Sequence, residues 1–379
     1  MTTTRRPPPW RDVRYLAWTF QAAVVGAVVA FILWIRGNIE DNGLDLDFGF
    51  LDQRAGFPIA GSDFNATEPY KTAIREGLMN TGRLVVAGVV LATVLGTLIG
   101  VARLSQNFLL KTAAQWYVEA IRNVPLYGIF VLMYLGVALN FLPNPKASFD
   151  WSPVVVANVR GVSLAWYEAS NWRFVILLAI VLAVLVGTFI VVTRISETTG
   201  TPYPTVTIAF GAAALVLVLG WFVLGMGVTS PKQDGLRTNG GIQLTVPFFA
   251  ALGALVIYTA SHIAEIVRGS IQAVSKGQGE AASALALSGT QRLRFVVLPQ
   301  AMRIALPSIG NQYLNLAKNS SLAAVVTFPE LTKITQLGTS GNTPAVQSLF
   351  LLLGIYLAIS LVLSLIVNVL NRKLRIVER

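Results

Sequence analysis

The chain is 379 residues long, and 12% of its residues are charged while 54% are hydrophobic. Soluble domains carry about 25% charged residues, so this composition excludes a disordered chain and an ordinary soluble enzyme. The net charge is +11, cysteine is absent and His262 is the single histidine. These counts exclude a disulfide scaffold and leave almost no ligands for a metal site. The composition therefore predicts a helical protein with several membrane spans.

Eight apolar segments are long enough to cross a bilayer, which takes about 20 residues in a helix. Seven of them contain no Asp, Glu, Lys, Arg or His: residues 15–35, 84–102, 124–142, 174–193, 205–227, 241–261 and 345–370. The remaining segment, residues 304–328, is apolar apart from Lys318. Such long runs do not fit the alternating strands, about ten residues each, of a transmembrane barrel. We therefore predict an all-α polytopic membrane protein with eight transmembrane helices.

The basic residues indicate how these spans are oriented. Lys and Arg collect before the first span and after the second, fourth, sixth and eighth spans. The segment after the first span, residues 36–76, instead contains eight acidic residues against four basic ones. Short cytoplasmic loops carry the excess of Lys and Arg, so we predict that the N- and C-termini are cytoplasmic. The positive net charge then reflects topology and anionic lipid, and it indicates no nucleic-acid partner.

The most informative segment lies between the sixth and seventh spans, at residues 265–300. From Glu280 onward it is rich in Ala and Leu, which have high helix propensity. A short helix with small residues such as Ala281, Ala282 and Ala286 suits docking into a groove on a soluble partner. A helix of this kind can also rest on the lipid surface, and the residues alone leave both interpretations open.

This segment resembles the coupling loop of bacterial ABC importer permeases. The Glu-Ala-Ala triplet at 280–282 is followed, at the spacing of that loop, by Val-Val-Leu-Pro at 296–299. The chain departs from the family pattern at Ala286, where the family has glycine, and at Val296, where it has isoleucine. Further blocks resemble the polar amino acid (HisM-like) permeases, and the Q-type subunits of general L-amino acid importers in particular: residues 77–81, 117–125, 264–269 and 311–322.

The resemblance implies a five-helix type I ABC importer permease core, to which this chain adds one N-terminal helix and an inserted helix pair. The implied regions are a cytoplasmic tail, first transmembrane helix and acidic periplasmic loop at 1–77, the first two core helices at 78–142, inserted periplasmic segments and the extra helix pair at 143–241, and the last three core helices at 242–379. The last region includes the cytoplasmic coupling loop, residues 276–300. The coupling residues that the resemblance implies are Glu280, Ala281, Ala282, Ala286, Gly289 and Pro299.

The resemblance also implies the function and the partners. The chain is expected to be a transport subunit of the bacterial inner membrane and not an enzyme, which translocates L-amino acids of broad specificity by alternating access. The implied partners are a second homologous permease subunit that completes a heterodimer, a dimer of ABC ATPase subunits, a periplasmic amino-acid-binding protein and membrane lipid. The chain itself is expected to hold no cofactor or metal, because the ATPase binds ATP and Mg²⁺.

Polar residues inside the spans are candidates for contact with the substrate, because polar groups in a bilayer are costly and usually functional. Lys318 lies in the seventh span beside Asn315, Asn319 and Ser320, and this patch can line the translocation path. In the alternative interpretation Lys318 reaches the outer interface and closes a gate. Pro307 can break the same helix and free backbone groups.

A second candidate is Glu265, at the end of the sixth span, which shares a helix face with His262 and Arg268. The Glu265 carboxylate can meet the ammonium group of an amino acid. In the alternative interpretation Glu265 pairs with Arg268 and anchors the helix at the membrane surface. The spacing of the residues leaves both roles open.

The main rival function is that of an ion- or proton-coupled secondary amino acid carrier. Such a carrier uses several buried acids that face a cavity, whereas the spans of this chain are nearly free of acids apart from Glu265. A structural or receptor subunit that transports nothing is a second rival. Uptake into vesicles, driven either by ATP or by an ion gradient alone, separates these functions.

Overall fold

The computed structural model describes residues 13–41, 47–62, 64–168, 171–201, 203–235, 237–341 and 343–374. Most of this part of the chain is helical. Its α-helices are α1 (Val13–Asp41), α2 (Tyr70–Ala102), α3 (Phe108–Arg122), α4 (Leu126–Val131), α5 (Leu139–Phe141), α6 (Asn171–Thr199), α7 (Thr205–Val223), α8 (Val246–Ala273), α9 (Lys276–Ala284), α10 (Gly289–Arg292), α11 (Leu298–Asn319), α12 (Leu331–Thr339) and α13 (Ala345–Leu374). Turns of π-helix cover Leu132–Ala138 and Leu293–Val297, and 3-10 turns cover Gly49–Asp52, Pro145–Ala147 and Ser320–Val326.

In the part of the chain that the structure describes, fewer helices meet the length and polarity of a membrane span than the eight that the sequence predicts. Among the described residues, four helices are long and apolar enough: Tyr70–Ala102, Trp172–Thr199, Val246–Ala273 and Ala345–Val369. The pair Phe108–Arg122 and Leu126–Phe141 passes the same test together, but the chain bends by 107° between its two parts. Pro125 lies at this bend, where it cannot donate the amide hydrogen of a continuous helix. The structure therefore supports four spans, or five if the bent pair is one span.

The remaining predicted spans differ from these in length or polarity. Within α1 and α7, the described apolar segments are Ala17–Phe31 and Thr207–Val223, which are shorter than a candidate span. Helix α11, which covers much of the predicted seventh span, does not reach the hydropathy of a candidate span, because Arg303, Lys318 and several amides interrupt it. It also continues through Pro307, so the break expected at that proline is absent.

The bundle is organised around α8, which packs against α2, α3 and α11. Leu255 and Ile263 of α8, Leu84 of α2 and Leu316 of α11 are completely buried in one hydrophobic core. The close approach of α2 to α8 depends on Gly96, because a Cβ there would lie 2.7 Å from the Cβ of Ile263. Small residues permit such backbone approach in membrane bundles, so α2 and α8 form the centre of the described bundle.

The chain between residues 149 and 245 contains strands as well as helices. The strands are β1 (Phe149–Trp151), β2 (Val155–Asn158), β3 (Gly161–Leu164), β4 (Trp166–Glu168), β5 (Gly227–Thr229), β6 (Lys232–Asp234), β7 (Arg237–Asn239) and β8 (Ile242–Thr245). An antiparallel sheet has the order β1-β2-β3-β8, with Val156 opposite Ser163 and Val162 opposite Leu244, and two ribbons pair β4 with β5 and β6 with β7. The all-α prediction is therefore correct for the bundle and wrong for the strands between residues 149 and 245.

The sheet and the segment before α2 cover one end of the bundle, which we call the strand end. Strand β8 leads directly into α8, and a Cβ at Gly61 would lie 2.7 Å from Cγ2 of Thr245. Phe50 and Tyr70 are buried there against Ile334 of α12. Within residues 47–62 and 64–69 of the acidic segment that the sequence predicts as an outer loop, Phe50, Ala55, Ile59 and Phe64 are therefore buried.

Candidate functional site

An ionic cluster lies at the opposite end of the bundle, which we call the α9 end. It comprises Glu265 and the three arginines Arg103, Arg122 and Arg268, and we call it the Glu265 cluster. Arg103 at the end of α2 and Arg268 of α8 each donate a hydrogen bond to the Glu265 carboxylate, and Nη1 of Arg122 lies 3.9 Å from its Oε2. The Arg103 side chain is 9% exposed and that of Glu265 is 29% exposed. A charge as buried as that of Arg103 needs such a partner.

The balance of charge in this cluster bears on the proposed contact with substrate. Three guanidinium groups face one carboxylate, so two positive charges have no acidic partner within the cluster. Both carboxylate oxygens already accept hydrogen bonds, Oε2 from Arg103 and Oε1 from Arg268. Each oxygen retains a further lone pair, so a substrate ammonium at Glu265 would compete with two guanidinium groups that already pair with the carboxylate. The pairing with Arg268 is the arrangement that the anchoring interpretation describes.

Sequence spacing indicated Arg268 as a partner of Glu265 but missed Arg103 and Arg122. Arg103 lies 162 positions from Glu265, and no local pattern connects them. The sequence offers only a weak signal for this pair. Arg103 follows one predicted span, and Glu265 lies near the end of another. Such a coincidence suggests an ion pair only when the two helices are known to be neighbours.

His262 makes its hydrogen-bonding contacts within its own helix. Its Nδ1 lies 3.0 Å from the carbonyl oxygen of Tyr258, and the two ring centroids are 4.6 Å apart. Tyr117 of α3 donates its hydroxyl hydrogen to the carbonyl oxygen of Ile257 at 2.7 Å, which ties α3 to the same turn of α8. His262 therefore packs along α8 in this structure.

The polar residues of α11 separate into an open face and a packed face. Asn315 and Lys318 are exposed, and Asn319 is partly buried. Ser320 is completely buried, and its hydroxyl donates to the carbonyl oxygen of Ala317 at 2.7 Å. The structure thus brings Asn315 and Lys318 onto one surface and places the Ser320 side chain inside the bundle.

The open face of α11 continues for two turns. Asn311, Asn315 and Lys318 follow one another at spacings of four and three residues, and all three are exposed. On the packed side, the hydroxyl groups of Tyr313 and of Thr93 in α2 are 2.8 Å apart, which holds α11 in place. An exposed polar stripe on a helix at membrane depth requires water, a ligand or another subunit beside it.

Helix α9, with the predicted coupling residues, is a short exposed element between α8 and α11. Glu280 and Ala281 are exposed, as are Gly289 and Pro299 farther along the segment. Ala282 is 3% exposed and faces the protein. The side chains of Glu280 and Ala281 are therefore accessible from outside the chain, whereas that of Ala282 is not.

The turn after α9 is present even though alanine occupies the position where the resembled family has glycine. Ala286 has a φ of +56°, a left-handed conformation that costs a residue with a Cβ roughly 1–2 kcal/mol. Its amide donates to the carbonyl oxygen of Ser283 at 2.9 Å, and the amide of Leu287 donates to that of Ala282 at 3.2 Å. These two bonds form the Schellman cap of a helix end. Ala286 therefore maintains the turn at a conformational cost that glycine would avoid.

Comparison with known proteins places these features in a family. Residues 201–376 match the family described as "Binding-protein-dependent transport system inner membrane component". The general L-amino acid transport system permease protein AapQ of Rhizobium johnstonii is 36% identical over 97% of this chain and 94% of its own length. The chain belongs to this family of permeases. The glutamate/glutamine/aspartate/asparagine transport system permease protein BztB of Rhodobacter capsulatus is 34% identical over 97% of this chain and 96% of its own length.

The permease is therefore a multi-pass component of the bacterial inner membrane and a transport subunit, not an enzyme. The resemblance to Q-type amino acid permeases is confirmed, since the similarity extends over nearly the whole chain. A solved structure described as an amino acid ABC transporter with histidines has a TM-score of 0.49 at 20% identity, covering 80% of this permease and 95% of that chain.

Proposed function

We propose that the permease translocates L-amino acids across the inner membrane as the transmembrane subunit of an ABC importer of broad specificity. The observation that carries this proposal is the exposed helix α9, with Glu280 on its surface and a defined turn at Ala286. A short helix held in one geometry can pass the movement of a docked ATPase to α8 and α11 on either side of it. The amino acid transport named for AapQ and BztB supports the substrate class.

The proposed assembly contains a second homologous permease that completes a heterodimer, a dimer of ABC ATPase subunits and a periplasmic amino-acid-binding protein. The family description supports the binding protein. The exposed stripe of Asn311, Asn315 and Lys318 supports a second permease, because the stripe needs a polar neighbour inside the membrane. ATP and Mg²⁺ belong to the ATPase in this proposal, and the permease contributes the coupling segment.

In the proposed topology the α9 end faces the cytoplasm and the strand end faces the periplasm. Helices α1, α7 and α11 bring the five candidate spans to eight, and both termini are then cytoplasmic. The unpaired positive charge of the Glu265 cluster supports this orientation, because Lys and Arg are retained on the cytoplasmic side.

For the substrate path, we propose that Lys318 and Asn315 line the outer part of the pathway, with Lys318 closing it at rest. The exposure of both side chains on α11 supports this assignment. Asn319 and Ser320 lie at the end of the same helix. A direct role for Glu265, with His262 beside it, requires a substrate ammonium to compete with Arg103 and Arg268 for the carboxylate.

The test of the function is charge reversal at Glu280 in the reconstituted importer. Glu280→Lys should insert and assemble but lose ATP hydrolysis that depends on loaded binding protein, because an unpaired charge in the docking surface costs several kcal/mol. Glu197→Lys changes an exposed acid at the end of α6 and should hydrolyse ATP at the unmodified rate. Amino acid uptake by an ion gradient in the absence of ATP would contradict the proposal.

A further inference from the structure

A continuous cleft runs along the first half of α2 at the strand end of the bundle. Its polar part has a volume of about 630 Å³ and is lined by Glu76, Asn80 and Arg83. Its deeper part has a volume of about 1010 Å³ and is lined by Asn80 and Arg83 together with apolar residues such as Val86 and Val90. The two parts share Asn80 and Arg83, so they form one cleft. One end of this cleft is polar and the other is apolar.

The chemistry of this cleft changes in a fixed order along α2. The carboxylate of Glu76 forms no hydrogen bond or ion pair with any residue that the structure describes. Nη1 of Arg83 donates to Oδ1 of Asn80 at 3.2 Å. The guanidinium of Arg83 therefore lies about one helical turn closer to Glu76 than the Cα of Arg83 does. One further turn, about 6 Å along the axis, separates Asn80 from Glu76. Beyond Arg83 in the other direction, Val86 and Val90 are 65% and 56% exposed.

The position of Arg83 matches the boundary of a bilayer. The uncharged part of α2 that follows it, residues 84–102, rises about 28 Å, which is close to the hydrocarbon thickness of about 30 Å. Trp166 stands in another wall of the cleft, and tryptophan is enriched at this level of membrane proteins. The guanidinium therefore lies at head-group depth, with an acid farther from the membrane and an apolar wall toward its centre.

We propose that this cleft binds a phospholipid whose head group carries a protonated primary amine. The amine meets Glu76, and the phosphate accepts from Arg83 and from the second N–H of Asn80 Nδ2, whose first N–H donates to the carbonyl oxygen of Pro329 at 3.0 Å. An acyl chain lies along Val86 and Val90. Arginine makes forked, charge-assisted hydrogen bonds to phosphate, and a carboxylate accepts the N–H donors of an ammonium group. In such a lipid the amine is outermost and the acyl chain is deepest, which is the order in which α2 presents the partners.

The dimensions of the cleft argue against a transported amino acid as its occupant. Glu76, Asn80 and Arg83 line the polar part, whereas an amino acid has no long apolar tail to cover Val86 and Val90, which are 65% and 56% exposed. The apolar part, about 1010 Å³ and partly open to its surroundings, has more space than one amino acid fills. An acyl chain fills such a space, and the proposal stands whichever substrate the importer carries.

The experiment measures which lipids the assembled importer retains. The importer is purified from nanodiscs that contain phosphatidylethanolamine, phosphatidylcholine and phosphatidylglycerol in equal amounts, and bound lipid is identified by native mass spectrometry. We expect phosphatidylethanolamine to be enriched, because phosphatidylcholine has the same charges but no N–H donor on its amine. Arg83→Met and Glu76→Gln should each reduce its retention about tenfold. Arg75→Met, an exposed residue of α2 outside the cleft lining, should retain it fully.

Conservative variants separate loss of binding from loss of folding. Arg83→Lys and Glu76→Asp keep the charges and should recover most of the retained phosphatidylethanolamine. Equal retention of the three lipids, or preference for phosphatidylglycerol, would overturn the proposal, because neither outcome involves recognition of the amine. Absence of bound lipid from the assembled importer would also overturn it and would indicate that a partner subunit covers the cleft. Displacement of the lipid by millimolar L-amino acid would mean that the cleft takes substrate instead.

Discussion

Arg103 at the end of α2 donates a hydrogen bond to Glu265 of α8, although the two residues are 162 positions apart. The pair lies just beyond the point where Gly96 brings these helices into close contact with Ile263. Arg103 is 9% exposed, so its charge is compensated mainly by Glu265 and only weakly by water. The ion pair thus locks the α9 end of the two central helices, next to the segment that we propose couples to the ATPase.

Removing the negative charge of Glu265 should therefore destabilise the permease. In Glu265→Gln the buried Arg103 loses its counter-charge, and we expect a cost of about 2 kcal/mol or more. Thermal unfolding of the purified importer measures this cost as a lower midpoint. Glu119→Gln neutralises an exposed acid near the end of α3 and should leave the midpoint unchanged. Normal stability of Glu265→Gln with uniformly weaker uptake of amino acids would favour the ammonium-binding interpretation.

Glycine at position 286 should stabilise the end of α9. Ala286→Gly removes the Cβ that opposes a φ of +56°, and we expect a gain of about 1 kcal/mol. Hydrogen exchange of the amides in α9 should then be about fivefold slower. Ala284→Gly, at the last helical residue of α9, should have the opposite effect because glycine disfavours helix. Equal exchange in both variants would show that the turn carries no strain.

Glu330 should make the stability of the permease depend on pH. It is completely buried, and it accepts hydrogen bonds from the amides of Thr332 and Lys333 and from the hydroxyl of Tyr356. Burial raises the pKa of Glu330 from 4.5 to about 7. The folded protein then holds a proton that the unfolded chain releases, so stability should fall as the pH rises from 4.5 to 7 and level off above 7.

The check of this dependence is the variant Glu330→Gln, which keeps an oxygen that can cap α12 but does not titrate. Between pH 4.5 and 7 the unmodified permease should lose about 3 kcal/mol of stability, seen as a lower unfolding midpoint. The midpoint of Glu330→Gln should not show this loss. Asp52→Asn, an exposed carboxylate paired with Lys71, should keep the unmodified profile. Parallel profiles for the permease and Glu330→Gln would mean that Glu330 does not titrate in this range.

Lys318 should control basal ATP hydrolysis if it closes the pathway at rest. Lys318→Met keeps the length of the side chain and removes its charge, so the resting state is less firmly closed and hydrolysis without loaded binding protein should rise. The readout is ATPase activity of the reconstituted importer with and without substrate. Lys146→Met, an exposed lysine in the insert, is the control. Unchanged basal activity with a higher substrate requirement would instead place Lys318 in contact with the substrate.

The absence of native cysteine allows a direct test of the proposed orientation. Gln53→Cys at the strand end and Ser275→Cys before α9 introduce single thiols at exposed positions. In intact cells an impermeant thiol reagent should label position 53 only, because position 275 faces the cytoplasm. Both positions should react after permeabilisation. Labelling of position 275 from outside would reverse the orientation.

The amino-acid sequence by itself determined the class of the protein and its family. Hydrophobic runs and the spacing of the coupling segment are local properties, so they can be recognised without knowledge of contacts. The same is true of the pairing between Glu265 and Arg268, which follows from a spacing of three residues in a helix. The strands of the insert were missed because three or four residues are too few to show an alternating pattern.

Only the tertiary structure decided which distant residues meet. Arg103 joins Glu265, and Tyr356 joins Glu330, because helix packing brings together positions that no periodicity relates. Tertiary structure also decided that Ala286 adopts the left-handed conformation, since hydrogen bonds at the end of α9 outweigh its intrinsic preference. Hydrophobicity specifies that helices enter the membrane, whereas the positions of glycines, buried charges and caps determine how those helices face one another.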